Sequence, residues 1–548
     1  MLKKQLLTRI SSEDINKLFF ACGILSIIII KFFLIRNSEV LGHPRDCLLY
    51  ALMADQNIWF PTNKAKAIID YMPGYPIFIM VSNFLNFPLR ISHEIFYTIS
   101  NILLVFSFRL LKIPRYICLV VFAILTFHIT TFMVFNTIVT ETIAISLYHI
   151  LLALTIITVM SENLAKKLIF SVLGGLCLGI IFITRPEQIV FLLSYLVVFV
   201  ILVLRNRMNI ARAIREALPI CIIPIAISLL ITTFFTLLNT FFLELPALSI
   251  GQSSAFKETF SQIQSIDDGQ NIDEFEFVNI NRKQLKMAYQ VSPTLNQVKS
   301  LIEEELARKV TTLGGKDTNI EVTIDWVYWS TIEAIRRSNL TEDRSMYQVF
   351  TQINSELQEA FNYQIINRKT FSFDPIDIGF WLNKFPHSLT KMSGYLFLPR
   401  VSNRFLQNTD DPRVTPEMRS IFNRVAHRRT YLVNQRDLNK DLIFYLNRIR
   451  ITPLIQIINI IGMISFVILF VYYLIKPVHS QLLNQYVLII SFALSIILLR
   501  LFLYVAVDMA FFPAASRYLF PSNPLLSALS ILNLYVTTKL LRSFRFSA

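Results

Sequence analysis

Asp46 lies in the run His43-Pro44-Arg45-Asp46-Cys47-Leu48-Leu49-Tyr50, directly after the first apolar stretch, and Met72-Pro73-Gly74-Tyr75-Pro76 follows some two dozen residues later. A carboxylate on a loop that leaves a membrane meets water, headgroups and polar solutes together. Within hydrogen-bond reach of a hydroxyl, it can take the proton as that hydroxyl attacks an electrophile. Further ionisable groups recur at Thr140-Glu141, Thr184-Arg185-Pro186-Glu187, Arg500 and Arg517-Tyr518-Leu519-Phe520-Pro521. Charges in or near hydrocarbon are costly and usually face a protein cavity, so each marks a candidate site. Arg185, Arg500, Arg517, Glu141 and Glu187 carry the charge, and Tyr75 and Tyr518 stand in the same motifs. Plainer alternatives stand beside these. Asp46 could complement a helix dipole, Glu141 could form a packing ion pair with an arginine, Arg185 or Arg517 could reach headgroups, and the tyrosines could belong to an interfacial belt. Glu39, Asp55 and Asp70 share the first loop with Asp46.

Of 548 residues, 54% are hydrophobic, 13% aromatic and only 16% charged, more apolar than soluble chains of this size. The elements that position these residues must therefore be membrane helices. Runs near the roughly 20 residues that cross hydrocarbon fall at 17–35, 95–111, 116–135, 139–160, 168–184, 189–204, 217–243, 451–475, 485–508 and 523–541. The run Pro76 to Phe87 is too short, and reads as an interfacial or re-entrant helix. Leu48, Leu49, Leu52 and Met53 predict a short amphipathic helix with Asp46 in its first turn.

The net charge of +15 follows topology, not a nucleic-acid partner. Basic residues gather in alternate loops, at Lys17, Arg109, Lys112, Arg115, Lys166, Lys167, Arg205, Arg212, Arg215, Lys476 and Lys539, and the opposite short loops carry only Arg185 and Arg517. The positive-inside rule then puts both termini in the cytoplasm and Asp46 outside. Arg448 and Arg450 are the exception. Residues 245–450 form an external block, mostly helical (Val298 to Val310, Arg344 to Tyr363), with turn signals at Gly314-Gly315 and Asp411-Pro412 and with Trp326, Trp329 and Trp381. Five scattered cysteines predict neither a disulfide framework nor a zinc site. The expected organisation is an N-terminal membrane module (1–244, with the first external loop at 36–94), the external domain (245–450) and a C-terminal membrane module (451–548).

Taken in order, Arg45-Asp46 with Tyr50, Pro73-Gly74-Tyr75-Pro76-Ile77-Phe78, Thr140-Glu141, Thr184-Arg185-Pro186-Glu187 and Arg517-Tyr518 with Pro521 and Pro524 resemble the bacterial branch of the GT-C membrane glycosyltransferases, those similar to dolichyl-phosphate-mannose-protein mannosyltransferases. The resemblance implies a polytopic α-helical membrane protein of about ten spans, in a bacterial inner membrane. It would be an inverting transferase moving a sugar from a polyprenyl-phosphate carrier to a glycan, lipid or protein acceptor at the outer face. Asp46 would be the general base, and Arg185 and Arg517 donor-phosphate residues, since guanidinium groups pair with two phosphate oxygens at once; Arg500, outside the matched motifs, joins them only because it lies within a span. Glu141 and Glu187 would support them, and Tyr75 and Tyr518 could pack on the sugar or lipid. Tyr71 stands where that family often has an arginine, and the frequent Asp/Glu pair is Arg45-Asp46-Cys47 here. No cofactor is called for, with a divalent metal left as an open alternative. The competing functions are a lipid-linked polysaccharide polymerase or ligase, and a flippase or transporter, whose repeated halves are not seen.

Overall fold

A computed structural model describes the chain except at residues 1–11, 45, 60–68, 206–209, 270–279, 281, 313–323, 343, 370–377, 398–409, 412, 429–437, 449–450, 476–480, 511–515 and 546–548. Arg45, Gly314-Gly315, Pro412, Arg450, Lys476 and the side chains of Trp381 and Arg448 thus lie outside the described residues.

Hydrocarbon offers the backbone no partners, so apolar runs must satisfy their own peptide groups as helices. The described residues hold ten helical stretches long and apolar enough to cross a membrane, from Glu13–Ile35 to Ser516–Arg542. They are built from α1 (Ser12–Ile35), α4 (Leu89–Leu110), α5 (Arg115–Thr126) with α6 (Ile129–Val134), α7 (Glu141–Met160), α8 (Leu164–Phe182), α9 (Gln188–Arg205), α10 (Ile210–Ala217) with α11 (Ile223–Leu243), α21 (Ile451–Ile475), α22 (Gln481–Ala510) and α23 (Asn523–Arg545). Two short helices, α2 (Asp46–Asp55) and α3 (Gly74–Phe84), lie between α1 and α4. The chain is a multi-pass helical membrane protein.

Helix pairs α4 with α7, α8 with α11, α9 with α22 and α21 with α23 pack side by side, and α7, touched by α4, α8 and α22, is enclosed on almost every side. Gly175 and Gly179 let α8 close on α11, since a Cβ at either would fall on Ile227 or Ile231. One feature differs from the sequence reading. The second span starts at Leu89 rather than 95, so Arg90 and Glu94 lie within it, completely buried. They are tolerated because Lys31 of α1 lies 3.3 Å and Arg90 2.8 Å from the Glu94 carboxylate, while Arg90 Nε donates to Asn136. The third span is broken at Phe127-His128, where the His128 ring accepts from the Thr130 amide and caps α6.

The segment between α11 and α21 is helical, as expected, but it packs in two ways. Its first part holds α12 (Ser254–Gln264), α13 (Arg282–Val291), α14 (Pro293–Gln297), α15 (Lys299–Thr312), α16 (Ile324–Arg337) and α17 (Met346–Asn362). Phe256, Phe260, Ile302, Val327, Phe350 and Ile353 build a core of their own, into which Met53, Ile58 and Ile69 of the first loop insert. Its second part, α18 (Ile378–Phe397), α19 (Pro416–Ala426) and α20 (Leu438–Arg448), joins the membrane core instead, through Met392, Leu396, Phe422, Val425 and Ile443. Helix α2 is held between α3 and α19. It buries Cys47, Tyr50, Ala51 and Met53, and not the single apolar stripe that its leucines suggested.

Candidate functional site

Asp46 opens α2, where a helix N-terminus favours a carboxylate. Its Oδ2 accepts from Arg517 Nη2 at 2.6 Å and its Oδ1 from the Tyr71 hydroxyl at 2.9 Å. These two residues come from opposite ends of the chain, yet both side chains keep about a third of their surface open, 32% for Asp46 and 37% for Arg517.

The loop before α2 is clamped from the second part of the segment between α11 and α21. The Gly42 amide donates to Asp410 at 2.7 Å, and His43 Nδ1 lies 3.0 Å from Asp411. Arg428 bonds Asp410 and donates to the Val40 carbonyl, while Arg424 forks onto Asp55 at 2.8 and 2.6 Å. Burial pushes the Asp410 carboxyl up, but the bonds from Arg428 and Gly42 outweigh it and hold it below its ordinary value. On the other flank, the Leu41 amide donates to Asn136 at 2.7 Å, joining this loop to the turn that leads into α7.

Glycine at position 74 has a physical reason. Its amide donates to the Ile183 carbonyl at 2.8 Å, and a Cβ there would strike that carbonyl and Thr184 Oγ1. The Pro-Gly-Tyr-Pro motif therefore docks directly on the Thr-Arg-Pro-Glu motif.

Beneath this contact lies a closed ionic network. Glu187 Oε1 accepts from Arg185 Nε and Nη2 at 2.8 and 2.6 Å, from Arg500 Nη2 at 3.1 Å and from Tyr504, while Oε2 accepts from Tyr148 at 3.1 Å. Arg185 Nη1 also donates to Thr140 at 3.0 Å and sits 3.3 Å from Glu141. Arg500 Nη1 donates to Tyr148 at 2.6 Å, and its Nε to the Tyr518 carbonyl at 2.9 Å. Exposure is 4% for Arg185, 2% for Glu187 and 0% for Arg500. Burial pushes the Glu187 carboxyl up, but the two guanidinium groups beside it hold it below its ordinary range.

Of the residues singled out in sequence, Asp46 and Arg517 meet at the open surface, with Tyr518 stacked parallel on Tyr504 at 5.0 Å under the Arg517 guanidinium. Arg185, Arg500, Glu141 and Glu187 meet each other below them. Tyr75 is fully enclosed by Tyr50, Phe78 and His93, with its hydroxyl 3.1 Å from His93, so no face is left for a sugar or lipid. Sequence reasoning missed the ring hydroxyls of Tyr71, Tyr148 and Tyr504, and the buried trio Lys31, Arg90 and Glu94. The trio left a signal as charges inside or beside apolar runs, and Tyr71 by standing where the resembling family often has an arginine; Tyr148 and Tyr504 left none. Among the described residues no three His, Cys, Asp or Glu side chains converge as metal ligands would.

No family model and no curated protein matches the chain. One solved structure, ArnT from Cupriavidus metallidurans bound to undecaprenyl phosphate, matches 87% of this chain and 76% of its own at 10% identity and a TM-score of 0.28. A superposition that loose carries no residue-level correspondence.

Proposed function

We propose that this chain is a membrane glycosyltransferase of the GT-C kind, moving a sugar with inversion from a polyprenyl-phosphate carrier to a hydroxyl-bearing acceptor at the outer face of the membrane. The observation that carries this reading is the 2.6 Å contact between Asp46 and Arg517, a base and a phosphate-binding group side by side and part-exposed. Asp46 takes the acceptor's proton as its oxygen bonds the anomeric carbon, and the bond from that carbon to the phosphate oxygen breaks. Arg517 then stabilises the charge arriving on the phosphate.

In the resting site Asp46 is held by Arg517 and Tyr71, which blunts it as a base. An arriving donor phosphate competes for the Arg517 fork and frees the carboxylate once the donor is in place. Arg185 and Arg500, enclosed and already bonded to Glu187, Tyr148 and the Tyr518 carbonyl, serve this scheme by fixing the turn that presents Arg517 rather than by touching the donor.

The test is Asp46→Asn in cells that otherwise lack the protein, reading lipid-linked glycans and surface polymers. The amide is nearly isosteric but accepts no proton, so transfer should fall by at least about 100-fold while the protein accumulates normally in the membrane. Transfer near the wild-type rate would remove Asp46 from the mechanism.

A further inference from the structure

Three consecutive residues, Ile69, Asp70 and Tyr71, run from the first loop toward α3, and the outer segment grips each of them. The Ile250 amide donates to the Ile69 carbonyl at 2.9 Å. Arg336 bonds the Asp70 carboxylate, which is almost wholly buried. Trp329 lies against the Tyr71 ring, centroids 5.3 Å apart. Trp329 and Arg336 are both on α16, seven residues apart and hence on one face of that helix, two turns from each other. At the far end of this strap the Tyr71 hydroxyl donates to Asp46 Oδ1, and the Tyr71 ring packs on Tyr50 of α2 at 4.6 Å.

The geometry points to Tyr71 as the positioning residue for the Asp46 carboxylate, and to α16 of the outer segment, through Trp329 and Arg336, as the element that sets Tyr71. The base is then assembled from two sides: membrane helices supply Arg517, and the outer segment supplies the orientation. Burial, followed by the Asp46 charge, pushes the Tyr71 phenol well above its ordinary range, so it stays a neutral donor throughout. A bond donated to the ionised carboxylate favours that form. Removing it, or loosening the ring that carries it, therefore makes Asp46 easier to protonate. The mechanistic consequence rests on Asp46 being the base, but the geometric claim is independent of it.

Labelling tests the claim without a substrate. A water-soluble carbodiimide with glycine ethyl ester couples to protonated carboxyls, and mass spectrometry of the full-length protein in lipid nanodiscs reads the Asp46 and Asp55 peptides separately. At one mildly acidic pH, Tyr71→Phe should raise Asp46 labelling by about threefold to tenfold, the loss of one bond to a charged group discounted for exposure. Trp329→Ala should raise it in the same direction, add nothing in the Tyr71→Phe background, and be reversed in Trp329→Phe, which keeps an aromatic face. Asp55, paired with Arg424 on the other side of α2, should be unchanged. Unchanged Asp46 labelling in either single variant, additivity in the double, or a rise shared by Asp55 would overturn the inference. A still-active Asp46→Asn variant would instead sink the assignment of the base and leave the labelling pattern standing.

Discussion

Arg517 and Arg500 look alike in sequence, and the structure predicts opposite consequences for losing them. Arg517 pairs with Asp46 where both are about a third exposed, so water and salt screen the pair. Such contacts contribute about 0.2–1 kcal/mol to stability. Arg500 is fully buried and bonds Glu187, Tyr148 and the Tyr518 carbonyl, and its removal leaves those acceptors in a dry site. Breaking a buried pair costs about 3–5 kcal/mol, and the lower end applies because Arg185 still compensates Glu187. Arg517→Gln should therefore melt within about 1 kcal/mol of the parent yet lose about 100- to 1,000-fold in transfer, the usual effect of deleting one group that stabilises developing charge. Arg500→Gln should lose stability first, with activity falling in proportion to folded protein. Thermal melting in nanodiscs, paired with restoration of the missing glycan in deleted cells per unit of folded protein, separates the two. If Arg517→Gln transfers normally, or destabilises as much as Arg500→Gln, the phosphate is not held at Arg517.

Cysteine labelling in a cysteine-free background should reach Asp46→Cys from outside the cell and Arg212→Cys only from inside, as the charge bias of the loops requires; the reverse pattern would turn the protein over. The Asp410 clamp on the first loop should be insensitive to pH down to the ordinary aspartate range near about 4. Its carboxyl titrates lower when folded than unfolded, so the stability it adds is complete above the unfolded value and is lost only as pH falls through the lower folded one. Protection of the residue 36–44 amides, relative to their intrinsic exchange rate at each pH, should accordingly fall only in stronger acid, and a fall already at pH values above that range would show that Asp410 does not hold the loop.

The membrane architecture was legible because hydrocarbon imposes one local rule, about 20 apolar residues per crossing, and all ten runs read in sequence overlap an observed helix. Helices α15 and α17 were also legible, α17 with the Ser345 and Gln348 capping box at its start. The rule failed where charges are neutralised from afar. Arg90 and Glu94 make the start of α4 look like a loop, and their own 2.8 Å pairing, completed by Asn136 and by Lys31 brought in from α1, explains why they can be buried. The split of the segment between α11 and α21 was hidden for a similar reason. Nothing local to Met392 or Phe422 says that their partners are membrane helices rather than Phe350 and Ile353.

The meeting of Asp46 with Arg517 was legible only as a shared membrane face, and three arginines on that face looked equivalent. What separates them is how their donors are already used. Among the described residues Asp46, Glu141 and Glu187 balance Arg185, Arg500 and Arg517, with the lower four neutralising one another in a closed network. A donor diester brings one further negative charge. On the proposed path, proton transfer removes a charge from Asp46 while bond cleavage places one on the phosphate, so total charge is constant and one unit moves a short distance. Only a cation adjacent to both positions can follow that movement without protein rearrangement, which matters because preorganised charge contributes most in a water-poor site. Arg185 and Arg500 are fixed on Glu187 and cannot follow it. Arg517 already touches the group that loses the charge and keeps about a third of its surface open to an incoming phosphate.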